Sequence, residues 1–140
     1  MLKIGKKIKH IENNKLTILK MELKYNPSEK SILKSFYVER KQMPNYASNW
    51  HYHEEYELLL NLKGKGVRIV GDNIDYYEAP ELILVGTNLP HLFKNNELDK
   101  NDSIDYIVLK FNEIFNGQSV FNLPELSQIK YLLSNSKRGI

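Results

Sequence analysis

The chain has no cysteine among its 140 residues. This absence excludes disulfide frameworks, cysteine-zinc sites, iron–sulfur clusters and thiol nucleophiles. Long apolar runs are missing as well, because the longest ones, at 58–60 and 82–85, fall far short of the roughly 18 residues that a transmembrane helix requires. The basic N-terminus has no apolar block behind it, so it does not resemble a secretory signal. We therefore expect a cytoplasmic protein that does not enter a membrane.

The composition is that of an ordinary globular protein, with 41% hydrophobic and 26% charged residues. One domain is expected at this length. A chain of this size buries roughly 68–70% of the surface that its unfolded form exposes. The fold therefore needs no metal as a structural staple, and any metal would serve function.

The positive charge is concentrated at the N-terminus. The first 20 residues hold six lysines against Glu12, whereas the rest of the chain carries a small negative excess. Such a basic arm can contact phosphate, but no aromatic or recognition-helix pattern accompanies it. We therefore predict a solvated arm that does not bind nucleic acid. His10 lies in this arm and is predicted to be a bystander.

Short strands dominate the sequence pattern. Residues 19–25 alternate between apolar and polar types, which is typical of a half-buried strand, and residues 26–28 form a predicted turn. Further strand-like runs, separated by glycine, proline and asparagine turns, lie at 32–39, 50–62, 66–70, 82–85, 90–93 and 104–111. This pattern predicts a mainly β sandwich or barrel.

The pattern changes near the C-terminus. From Pro124 onward, leucine and isoleucine recur at helical spacing up to a basic pair and Gly139, which predicts a C-terminal amphipathic helix. Its stripe either packs on its own domain or forms a homodimer surface, and the residues assigned to that surface are Leu126, Ile129 and Leu133.

A cluster of metal-ligating residue types falls in two segments. On a continuous strand, His51, His53 and Glu57 project from one face because side chains alternate. His91 lies at the end of another predicted strand. Three imidazoles and one carboxylate would suit zinc, iron, manganese, nickel or copper, and their spacing does not choose among them. The same groups can instead hydrogen-bond a polar ligand.

Arg68 is a further candidate because it stands within an apolar strand. It either faces a cavity, where it would bind an anionic or hydroxyl-rich ligand, or lies on the solvent face. The sequence contains no nucleophilic triad, phosphate-cradling loop or dinucleotide fingerprint.

The two histidine segments resemble the paired motifs of the cupin superfamily of small β-barrels. His51, His53, Glu57 and Gly64 keep the spacing of the first motif, although Asn45 replaces its leading glycine. The second motif is matched at its histidine and asparagine, His91 and Asn95, but not at its turn residues: Gly86 stands in place of proline and Asn88 in place of glycine. The resemblance implies a cupin-type β-barrel, or double-stranded β-helix, followed by the C-terminal helix.

Residues 50–91 more closely resemble the effector-binding domain of AraC-family transcription regulators, including the Gly-x-Asn-Leu-Pro-His ending at 86–91. This resemblance implies a sensor barrel with its basic arm at 1–113 and a dimerisation and linker helix at 114–140. It further implies that the natural chain continues beyond Ile140 into a helix-turn-helix domain, which alone would bind DNA.

The leading hypothesis is thus a non-enzymatic domain that senses a small molecule, such as a sugar or related metabolite, and dimerises. The effector would meet the His51, His53, Glu57 and His91 set and Arg68, and would stack on Tyr37 or Trp50. Residues 1–15 would move in response. No cofactor is required, although a divalent zinc, nickel, manganese or iron ion is compatible. The alternative is a metal-dependent cupin enzyme, an isomerase or dioxygenase, with Glu55 as base.

Overall fold

A computed structural model describes residues 7–12, 15–20, 22–27, 35–46, 49–95, 103–115 and 117–140 of the chain. At its start, the strands β1 (Lys7–Glu12) and β2 (Lys15–Lys20) pair as an antiparallel hairpin. The basic arm that the sequence predicts to be solvated thus contains regular structure. The strand predicted at 19–25 is divided, because β2 ends at Lys20 and β3 consists of Lys24–Tyr25.

The body of the molecule consists of two facing sheets. Its strands are β4 (Phe36–Met43), β5 (His51–Tyr52), β6 (Tyr56–Lys63), β7 (Lys65–Val70), β8 (Asn73–Glu78), β9 (Glu81–Val85), β10 (His91–Asn95) and β11 (Ile104–Phe111). One sheet has the order β3-β5-β10-β7-β8 and the other has the order β4-β11-β6-β9, and the strands pair antiparallel except for β3 and β5, which pair in parallel. The chain crosses repeatedly from one sheet to the other, as it does in a double-stranded β-helix. The predicted mainly β, cupin-type barrel is confirmed.

The inward faces of the strands follow the period of two that the sequence carries. On β4, alternate residues from Tyr37 to Met43 are half-buried and the residues between them are exposed. On β6, Glu57, Leu59 and Asn61 are buried. The main core lies between the two sheets and consists of Leu59, Val70, Tyr77, Ile83, Val85, Phe93 and Val108.

Several strand boundaries differ from the sequence-based prediction. The strand at 104–111 is confirmed, whereas the run at 32–39 is shifted: β4 begins at Phe36, and residues 28–34 lie outside the described part of the chain. β8 was not predicted, because its polar, turn-forming residues mask a strand in which Tyr77 alone is buried. A short hairpin, β12 (Ile114–Phe115) and β13 (Gln118–Ser119), follows the barrel.

The C-terminal segment ends in the predicted helix. Two 3-10 turns, Val120–Asn122 and Pro124–Leu126, precede α1 (Ser127–Asn135), and a third, Ser136–Arg138, follows it. The last residue, Ile140, exchanges two backbone hydrogen bonds with Leu84 of β9. A side chain at Gly86 would come within 2.5 Å of the carbonyl oxygen of Ser136, so glycine there permits this close packing. No helix in the described ranges is long and apolar enough to cross a lipid bilayer.

Leu59 provides a test of the core. Its side chain is 2% exposed, whereas that of Leu82 in the same sheet is 58% exposed. We expect Leu59→Ala to lower the free energy of unfolding by about 2–5 kcal/mol, because it removes buried methyl groups and leaves a cavity. Leu82→Ala, the matched control, should cost less than about 1 kcal/mol. Urea denaturation measures both values, and equal losses would contradict the assigned core.

Candidate metal centre

The candidate site is built where the chain leaves one sheet for the other. Residues 53–55 interrupt the strand predicted at 50–62, so His51 lies on β5 of one sheet and Glu57 lies on β6 of the other. The prediction that these residues share the face of one continuous strand is therefore wrong. They converge because the two sheets face each other across the barrel.

The third strand of the site is β10, which brings in His91. His91 pairs directly with His51 in the antiparallel ladder, and their ring centroids are 4.2 Å apart. The ring of His53 lies 5.0 Å from that of His91. One ligand atom from each of these three residues and from Glu57 lies within 4.8 Å of the others, and all four side chains are buried. The four predicted ligands thus form a single cluster.

Backbone carbonyl groups fix the orientation of all three imidazole rings. The Nδ1 atom of His51 lies 2.7 Å from the carbonyl oxygen of Asn49, and that of His91 lies 2.8 Å from the carbonyl oxygen of Leu89. The Nδ1 atom of His53 lies 3.1 Å from the carbonyl oxygen of Glu55. Because a carbonyl oxygen only accepts, each Nδ1 carries the proton and donates it. Each Nε2 atom therefore presents a lone pair.

The cluster consequently concentrates hydrogen-bond acceptors. The Nε2 atom of His53 lies 3.0 Å from the Oε2 atom of Glu57, although both atoms are acceptors when the imidazole is neutral and the carboxyl is ionised. Among the described residues, the buried Nε2 atom of His91 has no hydrogen-bond partner, and it lies 3.8 Å from the same carboxylate oxygen. A bound cation would satisfy all four groups at once, whereas a single shared proton would satisfy one pair.

The electrostatic environment favours the protonation states that a metal needs. Burial, together with the neighbouring His91, lowers the pKa of His51 to about 4, so this imidazole is neutral near pH 7. Burial alone would raise the pKa of Glu57, but the neighbouring rings of His53 and His91 and the ammonium group of Lys110 hold that pKa well below its ordinary value. Neutral imidazole and ionised carboxylate are the forms that coordinate metals.

The donor chemistry therefore fits the predicted divalent metal. Three imidazole nitrogens and one carboxylate oxygen suit zinc, iron, manganese or nickel. The Nδ1 bonds to backbone carbonyls are the kind of outer contact that orients histidine ligands in metal sites.

A cavity of about 270 Å³ opens beside the donor cluster, and His51 and Glu57 form part of its wall. Its other walls include apolar core residues such as Leu59 and Phe93. Besides His51 and Glu57, the polar side chains that line it are Asn26, Tyr37, Glu39, Lys41, Tyr46, Tyr106 and Lys110. A small polar molecule that enters this cavity would therefore reach His51 and Glu57, two of the four candidate metal ligands.

Two cross-strand rows of one sheet supply most of these polar groups. Lys110 of β11 stands between Tyr37 of β4 and Glu57 of β6. Four residues earlier on β11, Tyr106 stands between Lys41 of β4 and Asn61 of β6. The two lysines and Glu39 were not predicted from the sequence to line a binding site. Period-two alternation on β4 and β11 groups them on one face, but the pattern does not say which face lies inward.

Of the remaining predicted ligand-binding residues, only Tyr37 lines the cavity. Trp50 packs against Ile69 and Leu92 in a separate apolar cluster. The guanidinium of Arg68 forms ion pairs with Glu81 and, at 3.3 Å, with Asp75. Arg68 and Trp50 are therefore engaged elsewhere, because each contacts residues that do not line the cavity.

Glu55, the base of the enzymatic alternative, does not line the cavity either. Its side chain is buried, and its carboxylate lies 3.5 Å from the Nδ1 atom of His53. The structure therefore places the Glu55 carboxylate beside the Nδ1 atom of His53, one of the candidate metal ligands.

The likeness of this chain to known proteins is confined to its fold. No family model matches it, and no curated protein matches it. One similar solved structure is an RmlC-like cupin family protein with a double-stranded β-helix fold from Methanocaldococcus jannaschii, with 19% identity, coverage of 79% of this chain and 86% of that chain, and a TM-score of 0.48. Another is a cupin-2 domain from Rhodospirillum rubrum, with 14% identity, coverage of 77% and 75%, and a TM-score of 0.48.

A third similar structure is an oxalate decarboxylase, with 15% identity, coverage of 78% of this chain and 34% of that chain, and a TM-score of 0.46. None of these likenesses assigns a reaction. The fold and the donor cluster together define this chain as a cupin-type barrel with a three-histidine, one-glutamate centre.

The donor cluster predicts a metal-binding phenotype. We expect His53→Ala to weaken zinc binding by about 100-fold or more, because losing a ligand should cost more than the 10–100-fold that loss of an outer contact costs. His10→Ala is the control, since this fourth histidine belongs to β1, which supplies none of the four clustered donors. Isothermal titration with zinc measures both, and equal affinities in the two variants would contradict the assignment.

Proposed function

We propose that this barrel binds a small polar molecule beside a divalent metal that His51, His53, Glu57 and His91 hold. The observation that carries the proposal is the convergence of four buried donor atoms within 4.8 Å of one another, two of which belong to residues that line a cavity, His51 and Glu57. When bound, the cation supplies Lewis-acid polarisation of a ligand oxygen.

The chain's own residues provide the remaining recognition. The hydroxyl of Tyr37 donates a hydrogen bond to Glu39 at the cavity wall. Burial raises the pKa of Tyr106 to about 12, so its hydroxyl stays protonated and can donate to a ligand oxygen. Together with Lys41 and Lys110, these groups give the cavity several donors, which suits an oxygen-rich molecule such as a sugar or related metabolite.

A sensing role is supported by the loop at 86–90. The amide of Asn88 donates to the carbonyl oxygen of His53 at 2.7 Å, and the carbonyl oxygen of Leu89 accepts from His91. The same loop begins at Gly86, which touches Ser136 of the C-terminal segment. Under this proposal the domain is the effector-binding part of an AraC-type regulator, and ligand binding shifts a conformational equilibrium by favouring one of two states.

Enzymatic turnover is a second candidate, and one specific observation favours it. The cavity holds proton-transfer groups besides the metal ligands, namely the Tyr37–Glu39 pair and the Lys110 ammonium. The sequence-based prediction named only Glu55 for this role. In a metal-dependent isomerase or oxygenase they would replace Glu55 as acid or base.

One experiment separates the two roles. Zinc-, manganese- and iron-loaded protein is incubated with a panel of aldoses and uronic acids, and the small molecules and the protein amides are followed by NMR. Sensing predicts stoichiometric binding of an unchanged ligand with altered amide exchange at Leu84 and Ile140. Catalysis predicts a product whose formation stops with EDTA and returns with one metal.

The same panel tests the shared proposal. Binding should be lost with EDTA and in His53→Ala, because the metal would contact the ligand. Binding that survives both treatments would contradict a metal-dependent site.

We also propose homodimerisation through α1, with a correction to its face. Ile129 is 43% exposed and Leu132 is 45% exposed, whereas Leu133, which the sequence assigned to the dimer surface, is only 6% exposed. Leu133 therefore packs against the rest of the protein and is not available to a partner chain. Leu126 is half-buried.

Charge on the exposed face should therefore disrupt a dimer. We expect Ile129→Asp combined with Leu132→Asp to reduce the sedimentation mass from that of two chains to that of one, because carboxylates would be buried without partners. Gln128→Asp, on the same helix, is the control and should leave the mass unchanged. A wild-type chain that sediments as a monomer, or a double variant that stays dimeric, would place the interface elsewhere or exclude it.

A further inference from the structure

The cavity beside the donor cluster contains two opposed pairs of charges. Lys41 lies 3.0 Å from Glu39, and their side chains are 40% and 36% exposed, respectively. Lys110 is deeper: its side chain is 12% exposed, and its Nζ atom lies 3.4 Å from the Oε2 atom of Glu57. The partner of the deeper lysine is thus one of the proposed metal ligands.

Metal binding would change the charge balance at this place. Two lysines and two glutamates line the cavity, so their formal charges cancel while the imidazoles are neutral. A divalent cation would add two positive charges, and Glu57 would be shared between the cation and Lys110. Positive charge in a partly buried space is costly unless an anion accompanies it.

We propose that the ligand of this cavity is a small organic anion with carboxylate chemistry, and that Lys110 determines this specificity. The inference rests on the proposed metal-dependent binding and names its ligand class. An ammonium group carries three donors, so Lys110 can face Glu57 and still bind a ligand carboxylate. Lys41 is more exposed than Lys110 and is paired with Glu39, so we expect it to contribute less.

This assignment narrows the ligand class. A neutral sugar would satisfy hydroxyl donors and acceptors but would leave the positive charges uncompensated. An acid of similar size compensates them and contacts the same cavity wall. The cavity should therefore discriminate between an acid and its uncharged amide.

The test uses malonate as probe and malonamide as its uncharged counterpart, titrated calorimetrically into zinc-loaded protein. We expect the wild type to bind malonate at least tenfold more tightly than malonamide. Lys110→Met should lose at least tenfold in malonate affinity, and Lys110→Arg should stay within about threefold of the wild type. Lys65→Met, which removes an exposed lysine outside the cavity, is the matched control and should bind as the wild type does.

Two results would overturn the inference: equal affinity of the wild type for malonate and malonamide, or unchanged malonate affinity in Lys110→Met. Circular dichroism checks the folding of each variant, and Lys110→Gln replaces Lys110→Met if the latter does not fold. Zinc is titrated first into every protein. Failure of the wild type to bind zinc contradicts the proposed function, whereas zinc binding without preference for malonate contradicts the ligand class alone.

Discussion

Three hydrogen bonds from imidazole Nδ1–H groups to backbone carbonyl oxygens are the constraint on which the candidate site depends. They hold His51, His53 and His91 with their Nε2 lone pairs toward Glu57. The result is a buried set of acceptors that lacks sufficient donors of its own. A bound cation would relieve this arrangement, and the backbone carbonyl groups act as the outer contacts that orient histidine ligands in metal sites.

The barrel places a cavity and the charged side chain of Lys110 beside this centre. One sheet contributes the apolar core at Leu59 and Val108, and on the same inward face it places Lys110 next to Glu57. A strand offers every second position to the interior, and on β11 these positions are Tyr106, Val108 and Lys110, which all line the cavity. Polar and apolar residues thus alternate along this wall. This is why a metal site, a hydrogen-bonding pocket and a packed core coexist in a small barrel.

The loop at 86–90 joins the centre to the C-terminal segment. It binds the backbone of His53 and the ring of His91 on one side, and it approaches Ser136 on the other side through Gly86. A short series of contacts thus joins the four candidate ligands to the C-terminal segment. That connection gives the sensing proposal a physical basis that does not depend on any resemblance.

The sequence by itself determined the mainly β class, the strand at 104–111, the C-terminal helix and the four clustered ligands, because local periodicity and residue chemistry carry that information. Tertiary structure decided the break at 53–55, the inward face of Lys110 and the pairing of Arg68 with Glu81. These features depend on which strands meet across the barrel, and period-two alternation is the same for either face of a strand. The pairing of strands that are distant in the sequence, which no short segment encodes, therefore determined where the cavity lies and which charged residues line it.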